Sequence, residues 1–175
     1  MKLVQLELDG VYGIMSTISK DERGSFSRVF ETPLLEGNFV LNQGSAVINP
    51  LEKTLRGLHY QENPHAESKI IQCMTGQVFD VLVDIRKDSP SFGQHISLLL
   101  GPQQMYQGIF MPKGFAHGYI TLEPNSMLLY FMDQPYMPDL ARGILWNDPA
   151  LNIDWPCDPV LISERDSAFK ELIHL

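Results

Sequence analysis

Short β-rich runs separated by turn residues make up most of the chain, and this punctuation limits the fold more than any other feature. Val, Ile, Leu, Phe and Tyr are dense within the runs, and Gly, Pro, Asn and Asp interrupt them every few residues. Many short strands at even spacing are typical of a β-sandwich or a β-barrel. The predicted strands are 11–18, 25–30, 39–49, 54–61, 69–75, 77–86, 94–100, 107–111, 117–122 and 127–133.

Turns and a small amount of helix are predicted between and after the strands. Turn residues separate strands at 21–24 and at 101–104, for example. Helix is expected only as one turn at 30–35 and as a short segment at 163–172. No repeat, low-complexity tract or linker-like change of composition divides residues 1–175. We therefore expect one all-β domain with short peripheral helices.

The composition indicates a globular protein and disfavours several classes of partner. Hydrophobic residues make up 44% of the chain and charged residues 19%. No apolar stretch is long enough to cross a bilayer, and the N-terminal residues lack a signal-peptide core, so a cytoplasmic location is expected. The net charge of −8 disfavours nucleic acid and anionic membranes, because both attract basic surfaces. Cys73 and Cys157 form no Cys-x-x-Cys pair, so neither a disulfide nor a thiolate metal site is expected.

An imidazole, a guanidinium and an amine are concentrated in one short segment. Arg56 and His59 belong to the sequence Arg-Gly-Leu-His-Tyr-Gln, and Lys69 follows soon after. A lone histidine in an apolar strand more often has a structural role than a catalytic one. Here the neighbours favour chemistry, because Arg56 offers a planar charged group suited to phosphate and Lys69 can stabilise a developing oxyanion. We interpret this segment as an active-site strand with His59 as the base.

A second segment, Pro-Lys-Gly-Phe-Ala-His-Gly, contains His117. Its glycines allow backbone and ligand to approach each other closely, although such a histidine also occurs as a turn residue bonded to backbone. Tyr130 and Tyr136 follow, six residues apart. Taken alone, either tyrosine is more often a core or rim aromatic residue than an acid.

The spacing of the two segments resembles the paired motifs of the cupin superfamily, whose fold is a jelly roll, or double-stranded β-helix. Metal-binding cupins carry His-x-His and a Glu in the first motif and another His in the second. Here His59 is followed by Tyr60 and Gln61, so the second imidazole is missing. Glu67 is nearby, but the cation of Lys69 lies close to where a metal would be. No metal site is expected, which argues against a metal-dependent cupin.

More specifically, the chain resembles the dTDP-4-dehydrorhamnose 3,5-epimerase family, which consists of metal-free cupins. The pair Arg-Gly-Leu-His and Gly-Phe-Ala-His-Gly is specific, and the matching segments run along almost the whole chain. They are 21–26, 54–61, 69, 80–86, 112–118, 130, 136, 143–149 and 163–166.

The resemblance implies an isomerase of nucleotide-linked 4-keto-6-deoxyhexoses that needs no cofactor. The protons at C3 and C5 of the sugar flank the C4 ketone, so removal of either gives an enolate. The resemblance assigns His59 as the base, with Asp166 accepting its other N–H, and Tyr130 as the acid on the opposite face. Lys69 would hydrogen-bond the enolate oxygen, with His117 as a second candidate for that role.

The remaining implied roles concern substrate binding. Arg56 would hold the diphosphate together with Arg23 of the partner subunit, and Phe26 would pack against the nucleotide base. A residue that reaches another subunit's site requires a fixed interface, so the resemblance implies a homodimer with exchanged N-terminal strands. The other expected substrate contacts are Gln43, Ser45, His117, Tyr136 and Arg165.

Three positions depart from the family pattern. Arg28 stands where many members carry a Glu that meets the base, Val47 replaces a common Ser, and Lys53 replaces a usual Gly. These differences are concentrated at the nucleotide end. They leave open which nucleotide is preferred, with dTDP favoured, and whether C3, C5 or both are inverted.

Asp84 has two interpretations, as the residue that orients His117 or Lys69, or as a structural turn carboxylate. For the whole protein the first hypothesis is a 3,5-epimerase. The alternatives are an epimerase that inverts only C3 or only C5, and a non-catalytic cupin that binds a sugar nucleotide. Retention of His59, Lys69, Tyr130 and Asp166 together favours an enzyme.

Overall fold

The computed structural model of the chain describes residues 1–31 and 39–174, and β-strands dominate these residues. Helix in this part of the chain is limited to the single turn α1 (Glu164–Ser167) and to 3-10 turns at Pro138–Leu140 and Leu172–His174. None of these helices has the length and apolar character that crossing a membrane requires. The strands are β1 (Lys2–Gln5), β2 (Tyr12–Met15), β3 (Ile18–Asp21), β4 (Gly24–Ser27), β5 (Gln43–Asn49), β6 (Leu55–Gln61), β7 (Lys69–Thr75), β8 (Val78–Asp84), β9 (His95–Leu100), β10 (Gly108–Met111), β11 (Phe115–Thr121), β12 (Ser126–Met132) and β13 (Ala141–Gly143).

Two antiparallel sheets face each other. One has six strands in the order β1-β2-β10-β7-β12-β5, and the other has five in the order β13-β6-β11-β8-β9. Neighbours in a sheet are often distant in sequence, as with β7 between β10 and β12. The hairpin β3–β4 forms a separate two-stranded sheet. This arrangement confirms the predicted all-β barrel.

The space between the two sheets is filled by the main hydrophobic core. Ile71 of β7 and Leu128 of β12 meet Leu82 of β8 and Phe115 of β11 there. Side chains alternate across each strand, so the neighbouring residue Ala116 points to the other face of β11 and joins an outer cluster. The inward positions near one end of the barrel carry polar residues instead of apolar ones, and these form the candidate site.

The predicted strands of the barrel are largely confirmed, and the corrections lie at the two ends of the chain. The strand predicted at 11–18 is two strands, β2 and β3, which belong to different sheets. The helix predicted at 163–172 is only the single turn α1, which Ser163 caps at its start. Strands β1 and β13 were not predicted. The helical turn predicted at 30–35 falls largely on residues 32–38, which lie outside the described residues.

A β-bulge interrupts the pairing of β6 with β11 next to the candidate site. The register between these strands shifts between His117 and Tyr119, opposite Gly57. Gly57 has a φ of +128°, and a Cβ on it would lie 2.5 Å from the Cα of Gly118. Glycine at both positions therefore permits a backbone contact that no side chain would fit. The bulge turns the N–H of Gly57 towards Asp166.

Candidate active site

The register of the two sheets brings several of the predicted site residues together at one end of the barrel. On the five-stranded sheet, His59 of β6 pairs directly with His117 of β11, so both side chains lie on the inner face. On the six-stranded sheet, Tyr130 of β12 pairs with Ile71 of β7, two residues from Lys69. Lys69 and Tyr130 therefore share the inner face of the opposite wall.

His59 forms the predicted pair with Asp166. Its Nε2 lies 2.8 Å from Oδ1 of Asp166, while Oδ2 of that carboxylate accepts the N–H of Gly57 at 3.0 Å. Burial raises the pKa of the Asp166 carboxyl, but the hydrogen bonds from His59 and Gly57 outweigh this and hold it below its usual value. An ionised carboxylate accepts only, so Nε2 carries the hydrogen and Nδ1 keeps a lone pair. In a neutral imidazole, Nδ1 is therefore the nitrogen that can accept a proton.

The position of Asp166 depends on a short segment late in the chain. The hydroxyl of Ser163 caps α1 by accepting the N–H of Asp166 at 3.1 Å. Phe169 follows in the same segment, and its ring packs against the His59 imidazole in a T-shaped arrangement with centroids 5.7 Å apart. The imidazole is thus held by a carboxylate at one edge and by an aromatic ring beside it.

Lys69 is a buried cation with a carboxylate partner that the sequence reasoning did not assign to it. Its Nζ lies 3.0 Å from Oε1 of Glu67, and the two side chains are only 9% and 11% exposed. A short ion pair of this kind fixes the direction of the ammonium group. Lys69 can still offer hydrogens to a ligand, because an ammonium has three donors.

Asp80, and not Asp84, holds His117. Nε2 of His117 lies 2.8 Å from Oδ2 of Asp80, and both residues are buried. Burial raises the pKa of the Asp80 carboxyl, and the charge and hydrogen bond of His117 offset this only in part. Oδ1 of Asp80 is buried without a hydrogen-bond partner among the described residues. The expectation that Asp84 orients His117 or Lys69 is wrong.

Asp84 is instead a structural turn carboxylate, the second of its two interpretations. It accepts hydrogen bonds from Arg86 and from the hydroxyls of Ser89 and Ser91. Burial raises the pKa of Asp84, but these bonds outweigh it and hold the pKa well below its usual value. With its oxygens saturated by these groups, Asp84 has no role towards the imidazole.

Tyr130 faces the interior beside His117, with ring centroids 5.9 Å apart. Burial is the main reason that its pKa lies well above the usual value for a tyrosine, and the charge of Arg56 lowers it in part. The hydroxyl of Tyr130 therefore stays protonated at neutral pH. Ser45 stands directly opposite Tyr130 on β5, and Gln43 lies two residues away on the same face. Their contact with substrate stays a prediction.

Arg56 is exposed at the start of β6, with one edge of its guanidinium fixed. Its Nε donates to Oδ1 of Asn49 at 2.9 Å. This hydrogen bond orients the planar group and leaves its terminal nitrogens for an anion. Asn49 was not recognised as a site residue from the sequence.

Two cavities meet at His59 and Arg165. One, of about 200 Å³, is lined by both residues together with Lys69, Glu67 and Tyr136. The other, of about 390 Å³, is lined by Arg56 and Asp166 besides His59 and Arg165. Arg165 therefore stands where a ligand extending from one cavity to the other would pass.

Arg23 and Phe26 are not brought to this site within the subunit. Both lie on the hairpin β3–β4, where they line a separate cavity of about 390 Å³. The Arg23 side chain is 84% exposed and pairs with Asp21, and Phe26 is 71% exposed. An exposed arginine and phenylalanine on a projecting hairpin suit contact with another molecule.

Comparison with known proteins identifies the family. A sequence model of the dTDP-4-dehydrorhamnose 3,5-epimerase family matches residues 5–174. The chain belongs to this family. Its relative from Shigella flexneri, a dTDP-4-dehydrorhamnose 3,5-epimerase, is 36% identical over 172 residues, which cover 95% of this chain and 93% of the relative.

Solved structures agree with this assignment. The dTDP-6-deoxy-D-glucose-3,5-epimerase of Legionella pneumophila, in complex with dTDP-4-keto-L-rhamnose, matches with a TM-score of 0.91 at 34% identity, covering 98% of this chain and 93% of that one. A 3'-monoepimerase from Streptomyces bikiniensis, in complex with dTDP-quinovose, matches with a TM-score of 0.88 at 26% identity, covering 96% and 86%. The predicted family and its cupin-type jelly roll are confirmed.

Clusters of three or more His, Cys, Asp or Glu side chains in metal-binding proximity do not occur within residues 1–31 and 39–174. The acidic side chains near the site are engaged in pairs instead. Asp166 bonds His59, Asp80 bonds His117, and Glu67 bonds Lys69.

Proposed function

We propose that this protein is an isomerase that epimerises a dTDP-linked 4-keto-6-deoxyhexose at C3 and C5. The observation that carries the proposal is the placement of the candidate base and the candidate acid. His59 stands on the five-stranded sheet and Tyr130 on the six-stranded sheet, so they approach a ligand in the barrel from opposite walls. Inversion of a carbon requires this arrangement.

Proton abstraction begins at Nδ1 of His59. This nitrogen takes the proton from C3 or C5, next to the C4 ketone, and the electron pair of the C–H bond moves towards the ketone oxygen. The imidazolium that forms is stabilised by the Asp166 carboxylate, 2.8 Å from Nε2. General base catalysis by a positioned group of this kind contributes about 10²–10⁴-fold to the rate.

The enolate is stabilised by charge and then protonated from the other side. Lys69, held by Glu67, offers its ammonium hydrogens to the C4 oxygen as negative charge develops there. Tyr130 gives its hydroxyl proton to the carbon on the face opposite His59, which inverts the centre. Its high pKa keeps that proton available at neutral pH.

Nucleotide binding is assigned to the basic residues of the two cavities and to a second subunit. Arg56 and Arg165 hold the diphosphate, since a fixed guanidinium suits phosphate oxygens. Arg23 and Phe26 act on the site of the partner subunit in a homodimer. The exposure of both side chains on the hairpin β3–β4 supports this assignment.

Epimerisation at C3 alone is a second candidate activity. A 3'-monoepimerase shares the fold with a TM-score of 0.88. The same base, acid and cation would serve either reaction, because C3 and C5 flank the same ketone. The choice between them depends on whether the sugar can present both carbons to His59.

Proton NMR of dTDP-4-keto-6-deoxyglucose incubated with the protein in deuterated water tests the proposal. Deuterium at both C3 and C5, with the 4-keto-rhamnose form trapped by a reductase, is the expected result. Exchange at C3 alone would establish the monoepimerase instead. Binding of the nucleotide sugar without exchange at either carbon would refute an epimerase and indicate a binding protein.

A further inference from the structure

Glu67 is a carboxylate of the candidate site that has no contact with substrate in the proposed reaction. It lies just before β7, and its Oε1 is 3.0 Å from Nζ of Lys69. Both side chains line the cavity of about 200 Å³ that also contains His59. A sugar that reaches His59 through this cavity therefore meets a carboxylate as well as an ammonium group.

The backbone between Glu67 and Lys69 is held by a neighbouring strand end. The N–H of Ser68 donates to Oδ1 of Asp133 at 2.7 Å, and the backbone oxygen of Ser68 accepts the N–H of Asp133 at 3.3 Å. Asp133 directly follows β12, so these bonds tie the pair to the six-stranded sheet. The cavity thus presents a fixed acceptor and a fixed donor side by side.

The Glu67 carboxylate has capacity for a further hydrogen bond. An ionised carboxylate only accepts, and its two oxygens offer about four sites. In the described part of the chain, Lys69 is its only ion-pair or hydrogen-bond partner. Arg142, which lines the same cavity, pairs instead with Glu62. A ligand hydroxyl would use the remaining capacity, because a poorly exposed charge is costly without donors.

The two carbons beside the C4 ketone differ in their substituents in a 4-keto-6-deoxyhexose. C3 carries a hydroxyl group, which can donate a hydrogen bond, and C5 carries a methyl group, which cannot. With the ketone oxygen at Lys69, the C3 hydroxyl is the adjacent group that can donate to Glu67. The donor and acceptor of the pair therefore complement the acceptor and donor of a ketone with a neighbouring hydroxyl.

We propose that Glu67 is a specificity residue that accepts a hydrogen bond from the C3 hydroxyl, so that the site selects nucleotide-linked 4-ketosugars with a donor on C3. The proposal rests on the proposed epimerase function and on Lys69 as the partner of the ketone oxygen. It gives Glu67 a contact with substrate in addition to its ion pair. Such a site disfavours an analogue without the hydroxyl, because its own polar group is then left unpaired.

The test compares Glu67→Ala with wild type on two sugars, dTDP-4-keto-6-deoxyglucose and its 3-deoxy analogue, dTDP-4-keto-3,6-dideoxyglucose. Both sugars keep exchangeable hydrogens next to the ketone, so kcat/KM for deuterium exchange is measured on each by proton NMR in deuterated water. Any intrinsic difference between the sugars cancels when their ratio is compared between protein variants. We expect Glu67→Ala to lower the ratio of 3-hydroxy to 3-deoxy sugar about ten- to hundredfold, the effect of one lost hydrogen bond to a charged group.

Glu67→Gln is the second variant, since it keeps the size of the side chain and one acceptor oxygen but removes the charge. A neutral hydrogen bond is about half as strong as a charged one, so the ratio should lie between those of wild type and Glu67→Ala. Glu62→Ala is the matched control, because it removes a half-exposed, ion-paired carboxylate from the same connection. Its ratio should equal that of wild type.

The pattern of losses separates recognition from positioning. If Glu67 acts only by holding Lys69, Glu67→Ala slows both sugars equally and leaves the ratio unchanged, which would overturn the proposal. Should Glu67→Ala fail to fold, a wild-type ratio in Glu67→Gln would overturn it as well. A wild-type protein that exchanges neither sugar would instead refute the proposed function, and this proposal with it.

Discussion

At the scale of single residues, the catalytic proposal depends on which nitrogen of His59 carries the hydrogen. Asp166 controls this, because its Oδ1 faces Nε2 and its Oδ2 accepts the N–H of Gly57. An asparagine at this position would keep its oxygen on Gly57 and turn its NH₂ group towards His59. The histidine would then accept at Nε2 and carry its hydrogen on Nδ1, so the base would be blocked.

We therefore expect Asp166→Asn to lower the rate of deuterium exchange at C3 and C5 by about 10³–10⁴-fold, the cost of the wrong tautomer in a comparable His–Asp pair. Proton NMR in deuterated water measures this rate. Asp158→Asn, at an exposed position in the same part of the chain, is the control. If the exchange rate of Asp166→Asn lay within tenfold of the rate of the control, the assignment of Nδ1 as the base would be contradicted.

A second prediction at this scale concerns stability and pH. Asp84 is buried, and its hydrogen bonds hold its pKa below the usual carboxyl value. Its carboxylate thus stabilises the fold at pH above that usual value, and the stabilisation is lost as pH falls towards the lowered pKa. We expect Asp84→Asn to reduce the free energy of unfolding at pH 7 by about 2–4 kcal/mol.

Urea unfolding at pH 7 and below pH 4 measures this difference. The difference in free energy of unfolding between wild type and Asp84→Asn should be smaller at the lower pH. There the wild type itself begins to lose the stabilisation that the Asp84 carboxylate provides. Asp88→Asn changes an exposed carboxylate of the same turn and should leave stability unaltered at both values. A gap that is independent of pH would show that Asp84 acts through packing alone.

At the scale of elements, the contact between β6 and β11 positions the His59–Asp166 pair that we propose as catalytic. A Cβ on Gly118 would lie 2.8 Å from the backbone oxygen of Arg56 and 2.9 Å from a methyl carbon of Leu58. Gly118→Ala therefore forces the two strands apart at the bulge. We expect a loss of about 1–3 kcal/mol in the free energy of unfolding, together with slower exchange, since the N–H of Gly57 moves away from Asp166.

Gly44→Ala is a suitable control for that substitution. A Cβ at Gly44 on β5 would meet its neighbours at 3.6 Å or more, an ordinary contact distance. Chemical denaturation and the NMR exchange assay compare the two variants. Equal stability and equal exchange rates would show that the bulge does not need glycine at position 118.

Sequence reasoning located the elements of the barrel well but could not choose between two aspartates of β8. His117 pairs with Leu82, so Asp80 and Asp84 lie two residues to either side of its partner and both face inwards. The alternation of side chains along the strand therefore does not distinguish Asp80 from Asp84. The choice depends on Arg86 and the serines of the following turn, which saturate Asp84, and those contacts exist only in the folded chain.

Other site residues carried no recognisable sequence signal. Asn49 at the end of β5 appears as an ordinary strand residue, and only the folded sheets place it beside Arg56 and Tyr119. His59 and Lys69 were singled out because an imidazole, a guanidinium and an amine share one short segment, whereas Asp166 was assigned only through the resemblance to the family. The register between distant strands was the missing information.

At the scale of the whole molecule, the proposed homodimer makes a direct prediction. If Arg23 serves the site of the partner subunit, a hybrid dimer of His59→Ala and Arg23→Ala subunits contains one site with both residues intact. Each variant alone should be defective, since one lacks the base and the other a contact to the diphosphate. After random mixing in equal amounts, about half of the dimers are hybrids, and one of the two sites in each hybrid is intact. The mixture should therefore regain about one quarter of the wild-type activity.

The measurement is the epimerase rate after the two variants are unfolded and refolded together, compared with each refolded alone. Mixing His59→Ala with Asp166→Asn is the control, because both changes lie in the same subunit's site and no hybrid dimer regains an intact one. Equal activity in the two mixtures would show that Arg23 acts within its own subunit. Full activity of Arg23→Ala refolded alone would show that Arg23 serves neither site.

The proposed division of base and acid between two sheets would have a consequence for how such enzymes diverge. The separation of His59 and Tyr130 is set by the layer of side chains packed between the sheets, including Ile71, Leu82 and Leu128, all of them fully buried. A change of one methylene in this layer shifts the walls by a fraction of an ångström. If His59 and Tyr130 act as proposed, substitutions in this layer, which never contact the sugar, would alter the stereochemical outcome while every reactive group stays the same.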